Sequence, residues 1–149
     1  MRRRGKRLNP RPISSTDRLI MRVRSLDHLV LTVRDLPRTI AFYTELLGME
    51  EVTFGAGRKA LRFGSQKINL HPADRPIDPN VRHAMPGSAD LCFLIDGPLD
   101  EAIALLRDKG VPIIEGPLVR TGATGPIESV YIYDPDENLI ELSVPVAKE

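Results

Sequence analysis

Four polar residues, His28, Asn69, Asp90 and Glu141, fall at matching places in two copies of one sequence pattern. Leu26-Asp27-His28-Leu29, Gly48 and Ile68-Asn69-Leu70-His71 recur as Ser88-Ala89-Asp90-Leu91, Gly110 and Ile140-Glu141-Leu142-Ser143. His28 is as far from Asp90 as Gly48 is from Gly110, and Asn69 to Glu141 is ten residues longer, so the copies run in register with one late insertion. Such a repeat marks a duplicated supersecondary unit. A histidine, two carboxylates and an amide brought together would give nitrogen and oxygen ligands to a divalent ion such as Mn²⁺, Fe²⁺, Ni²⁺, Zn²⁺ or Mg²⁺. Glu141 or Asp90 would also serve to relay a proton. The bland reading of any one of these residues is a polar side chain facing solvent from a half-buried strand. Their matched placement is what sets His28 and Glu141 apart.

The elements that must position these residues are legible in each copy. His28 to Val33 alternates, with Leu29, Leu31 and Val33 on one face and His28, Val30 and Thr32 on the other, as in a strand. Asp35 is placed to cap a helix with Pro37 in its first turn and Leu36, Ile40, Tyr43 and Leu47 along one face, ending at Gly48. Short strands are expected over Met49 to Phe54, Arg58 to Phe63 and Lys67 to His71. The second copy predicts a strand through Leu91, Phe93 and Ile95, then a helix through Leu99, Ile103 and Leu106 that closes at Gly110. Strands then follow near Val111 to Glu115, Ser129 to Tyr133 and Leu139 to Ser143, the last two joined by an Asp134-Pro135-Asp136-Glu137-Asn138 turn. The inserted residues fall in Gly116 to Pro126, read as a long irregular loop, where Arg120 is a candidate anion contact and otherwise a solvated arginine.

The fold class is therefore α+β, two tandem βαβββ modules over about 26–72 and 88–144, their sheets curling around a cleft. Helices covering the faces of Leu29, Leu31, Ile68, Leu70, Leu91, Phe93, Ile140 and Leu142 would leave His28, Asn69, His71, Asp90, Glu141 and Ser143 on the opposite, polar face. Asn69 and His71 are then candidate substrate contacts beside Arg120.

At 149 residues, with 42% hydrophobic and 28% charged content, the sequence suits one soluble domain, residues 26–149, and holds no stretch apolar enough to span a membrane. A single cysteine, Cys92, excludes an intrachain disulfide and fits a reducing cytoplasm. Nine of the 21 basic residues lie in the first 25 positions, against Asp17 alone. Residues 1–25 read as a basic disordered extension, with Met21 an alternative start, and the body is net acidic. An acidic body does not suit nucleic-acid binding.

The paired modules, the histidine in the opening strand, the Asp134–Asn138 turn and the closing Ile140-Glu141-Leu142 resemble the vicinal oxygen chelate superfamily, over residues 26 to about 144. This superfamily includes glyoxalase I, extradiol dioxygenases, and fosfomycin and bleomycin resistance proteins. Leu26-Asp27-His28, Asn69-Leu70-His71-Pro72, Glu115-Gly116-Pro117 and Arg120-Thr121-Gly122-Ala123 are more narrowly similar to the glyoxalase domain-containing protein five subgroup and related bacterial proteins. The resemblance implies metal ligands in the first and last strand of each module. His28 matches the first-module histidine and Glu141 the second-module glutamate, whereas Asp90 stands where a second histidine is usual and Asn69 where glyoxalase-type members carry glutamate. Asn69 in place of a carboxylate base disfavours the glyoxalase reaction itself. The resemblance implies a metal-dependent lyase, isomerase or dioxygenase acting on a small oxygenated substrate, or a binding or resistance protein without turnover. It also implies a homodimer, whose modules pair within a chain or exchange between two chains.

Overall fold

The computed structural model describes residues 21–147, so residues 1–20 of the expected basic extension lie outside it. Alternation in β1 (His28–Val33) sends Leu31 and Val33 inward, while His28 and Val30 stay exposed. Asp35 caps α1 (Leu36–Ala41), its carboxylate accepting from the Arg38 amide at 3.0 Å. The helical stretch then widens into a π-type turn, Phe42–Leu46, that carries the fully buried Tyr43. Gly48 ends it at φ +68, a backbone that side chains with a Cβ rarely adopt.

Three strands complete the module: β2 (Glu50–Phe54), β3 (Arg58–Phe63) and β4 (Gln66–Pro72). They form a four-stranded sheet in the order β1-β4-β3-β2, with β1 parallel to β4 and the other pairs antiparallel. The second module repeats this with β5 (Asp90–Leu94), α2 (Leu99–Asp108), β6 (Glu115–Thr121), β7 (Pro126–Tyr133) and β8 (Leu139–Pro145), in the order β5-β8-β7-β6. The protein is thus an α+β fold of two βαβββ modules, each a curled and unclosed mixed sheet.

Two expectations in the second module are corrected. Val111 to Ile114 form no strand, and the residues from Gly116 on are not an irregular loop. They belong to β6, which pairs with β7 from Glu115 opposite Tyr131 to Thr121 opposite Pro126, leaving a tight turn over Gly122–Gly125. Pro117 is tolerated because β6 is an edge strand and its register slips between Glu115 and Leu118. Gly116 makes that slip possible: at φ +101 it lies so close to β7 that a Cβ would collide with the Ser129 carbonyl oxygen. The insertion therefore lengthens a hairpin.

The apolar faces of both sheets and the helices form one core, in which Leu31, Val33, Tyr43, Ile68, Leu70, Leu106, Ile132 and Ile140 are nearly inaccessible. Each such aliphatic side chain contributes roughly 1.5–3 kcal/mol on burial. Phe63 of β3 meets Phe93 of β5 edge-to-face at 5.4 Å, and both rings belong to apolar faces. Both polar faces consequently turn away from the shared core.

The Asp134–Asn138 turn, read from sequence only as a link between strands, clasps the modules together. The buried Asp134 carboxylate accepts from the Tyr43 hydroxyl at 2.7 Å, the amides of Asp136 and Asn138 at 2.9 Å, and Asn138 Nδ2 at 2.8 Å. Asp136 Oδ1 accepts from the Arg34 amide, and Asn138 Oδ1 from the Ala89 amide.

Candidate functional site

The register places Val30 beside Asn69 in the first sheet and Cys92 beside Glu141 in the second, so Asn69 and Glu141 hold equivalent positions. His28, beside Lys67, and Asp90, beside Leu139, likewise open equivalent edge strands. The structure divides these residues between two faces. His28, Asn69 and His71 lie on the polar face of the first sheet, and Asp90, Glu141 and Arg120 on that of the second.

On the first face, the His28 ring is 44% exposed and its Nδ1 meets Asp27 Oδ1 at 2.8 Å. Asn69 is 6% exposed and its Oδ1 has no hydrogen-bond partner. His71 is 3% exposed; its Nε2 accepts from the Arg58 guanidinium at 3.1 Å, while Nδ1 is unpartnered. Burial, then the Arg58 charge, lowers the His71 pKa below its ordinary value, against a smaller pull from the Asn80 amide. A pocket of about 490 Å³ runs from Thr32 and His71 to Asn80, His83 and Met85 of the segment joining the modules.

On the second face, Glu141 Oε1 is buried without a partner. Arg120 Nε donates to the Tyr131 hydroxyl at 3.0 Å, its guanidinium lies 5.5 Å from the Tyr131 ring centroid, and Nη2 reaches Glu115 at 3.4 Å. The Tyr131 bond raises the Arg120 pKa, keeping the side chain cationic. Burial raises the pKa of the Tyr131 phenol and of the Cys92 thiol. Cys92 Sγ, Ser143 Oγ and Ser129 Oγ form a chain with links of 3.3 and 2.7 Å. A pocket of about 640 Å³ is lined by Cys92, Arg120, Gly122, Tyr131, Glu141 and neighbouring residues, all from the second module.

Chemically the donors suit a divalent ion, and the unpartnered Asn69 Oδ1 and Glu141 Oε1 are the kind of buried oxygens a cation would satisfy. Spatially they are not assembled within one chain. Among the described residues no three His, Cys, Asp or Glu side chains are grouped closely enough to hold a metal.

The sequence reading did not single out Arg58, which contacts His71, or Tyr131, which holds Arg120 beside Glu141. Strand parity was the available signal for both. Arg58 and Ala60 alternate with Lys59 and Leu61, and Tyr131 lies directly across from Glu141.

Comparison with known proteins accords with this architecture. A family model described as the Glyoxalase/Bleomycin resistance protein/Dioxygenase superfamily matches residues 25–142. The glyoxalase domain-containing protein RDO1 of Mycosarcoma maydis is 56% identical over 121 residues, covering 81% of this chain and 68% of the relative. The virulence protein STM3117 of Salmonella typhimurium is 53% identical over 118 residues, covering 79% of this chain and 82% of the relative. An integron cassette protein from the mobile metagenome of V. cholerae superposes with a TM-score of 0.82 at 53% identity, covering 85% of this chain and 98% of that one. The chain belongs to the glyoxalase/bleomycin resistance protein/dioxygenase superfamily.

Proposed function

We propose that the protein is a divalent-metal-dependent enzyme, a lyase, isomerase or dioxygenase acting on a small oxygenated molecule, and that its site is composite. The observation that carries this reading is the pair of buried, unpartnered oxygens, Asn69 Oδ1 and Glu141 Oε1, at equivalent positions of two outward-turned faces. In a homodimer the His28 and Asn69 face of one chain covers the Asp90 and Glu141 face of another. The edge strands β1 and β5, each paired on one side only among the described residues, meet at that seam.

A divalent cation bound there would supply polarisation of a carbonyl or enediolate oxygen of the substrate. His28, Asn69, Asp90 and Glu141 would hold it, its identity lying among Mn, Fe, Ni, Zn and Mg. Glu141 or Asp90 relays the proton, and Arg120, Asn69 and His71 orient the substrate. A cytoplasmic location accords with the single cysteine, and among the described residues no helix is long and apolar enough to cross a membrane.

The test is complementation between two broken chains. His28→Ala and Glu141→Gln chains, mixed and refolded, should form heterodimers with one intact metal site, whereas neither variant alone binds metal. A monomeric wild-type chain, or no recovery on mixing, would overturn the composite site. A wild-type protein that takes up no divalent ion would overturn the enzyme reading.

The second reading is a binding or resistance protein that holds a small molecule without turnover. It is favoured by Asn69 in place of a carboxylate and Asp90 in place of a histidine. Ligand recovered chemically altered after incubation would contradict it.

A further inference from the structure

The first sheet's polar face carries more positive charge than it balances. Arg58 stands across from Phe54, and Arg62 from both Lys67 and Glu50. Glu50, the sole carboxylate on this face, is taken by Arg62 at 2.7 Å. Among the described residues neither Arg58 nor Lys67 pairs with a carboxylate; both lean on the Phe54 ring, the Arg58 guanidinium carbon 4.9 Å and Lys67 Nζ 4.1 Å from its centroid. Ala60, between Val52 and Asn69, contributes only a methyl group, which leaves Lys67 room to reach across.

Two cations against one ring repel each other unless an anion lies between them. The same place holds a buried donor with nothing to donate to. Arg58 Nε has no partner.

We propose that this face binds an oxyanion, a carboxylate or phosphate group, held by Arg58 and Lys67, and that this group is the charged end of the substrate. The second clause rests on the function proposed above; the oxyanion site does not. A guanidinium suits the group because its fixed fork matches carboxylate and phosphate geometry.

The experiment titrates the full-length protein, without added metal, with succinate and with inorganic phosphate, following Arg side-chain N–H resonances and heat of binding. Saturable binding should shift the Arg58 Nε–H resonance. Arg58→Met and Lys67→Met should each weaken binding about ten- to a hundredfold. Arg62→Met, which removes an already paired cation, should leave it nearly unchanged, and Arg58→Lys should retain part of it. Whichever of the two anions binds more tightly identifies the group.

Binding that survives in both Met variants, an equal loss in Arg62→Met, or no saturable binding of either anion would overturn the site. Circular dichroism of each variant confirms that a loss is not unfolding. Metal uptake is measured separately on the same samples. Anion binding without metal uptake would defeat the metal-dependent function and spare this site, whereas metal uptake with no anion binding would do the reverse.

Discussion

The hydroxyl of Tyr43, in the helical turn of the first module, donates to Oδ2 of Asp134 in the second at 2.7 Å, and both residues are buried. The two repeats are thereby joined by a polar bond inside their common core. Buried polar groups stabilise when their partners are supplied, and the Asp134 carboxylate is supplied with four donors.

Tyr43→Phe should lower stability by about 1.5–3 kcal/mol, the range for a hydrogen bond to a charged group. Burial, reinforced by Asp134, holds the Tyr43 pKa far above its ordinary value of 10.0. Below pH 10 folded and unfolded chains both keep this proton. Above it the unfolded chain gives the proton up and the folded chain does not, so stability falls as pH rises. Urea melts from pH 8 to 11 should show a steeper alkaline loss in wild type than in the Phe variant; parallel curves would refute the assignment.

Gly116→Ala tests the hairpin that replaces the expected loop. A Cβ there meets the Ser129 carbonyl at a backbone angle of φ +101. The expected cost is about 1–3 kcal/mol from backbone strain, with further loss from the collision. A thermal melt matching wild type would mean that β6 does not lie against β7 as described.

Glu141→Gln separates folding from function. The Glu141 carboxylate has a buried oxygen with no partner, so neutralising it should leave stability unchanged or raise it by up to about 1 kcal/mol. Divalent-ion affinity should fall at least tenfold on the proposed function. Denaturant melts and metal titration on one preparation check both, and unchanged affinity would remove Glu141 from the ligand set.

Cys92 should be a slow nucleophile. Burial raises its thiol above the ordinary 9.0, so less thiolate is present at neutral pH than in an unfolded chain. Iodoacetamide at pH 7.5 should alkylate the folded protein several-fold more slowly than the urea-unfolded one. The folded rate should keep climbing with pH above about 9, and equal rates would contradict the raised thiol pKa.

The repeat, the strand parities and the placement of His28 with Asp90 and Asn69 with Glu141 were all legible in the sequence. They depend on local periodicity, which side-chain alternation writes directly into the chain. The capped start of α1 and the glycine stop at Gly48 were legible for the same reason. Strand β6 was not, because Gly116 and Pro117 signal a break locally and are accommodated only by an edge position and a register slip beside β7.

Longer-range relations lay wholly with the tertiary structure. Tyr43 and Asp134 are 91 residues apart, and nothing in either segment announces the bond between them. The same holds for the division of the four candidate ligands between two faces. Alternation states that His28, Asn69, Asp90 and Glu141 oppose the helices, but not whether those faces look toward each other. The packing of the apolar faces into one core, with Phe63 against Phe93, turns them outward and divides between two faces what the sequence presents as a single set.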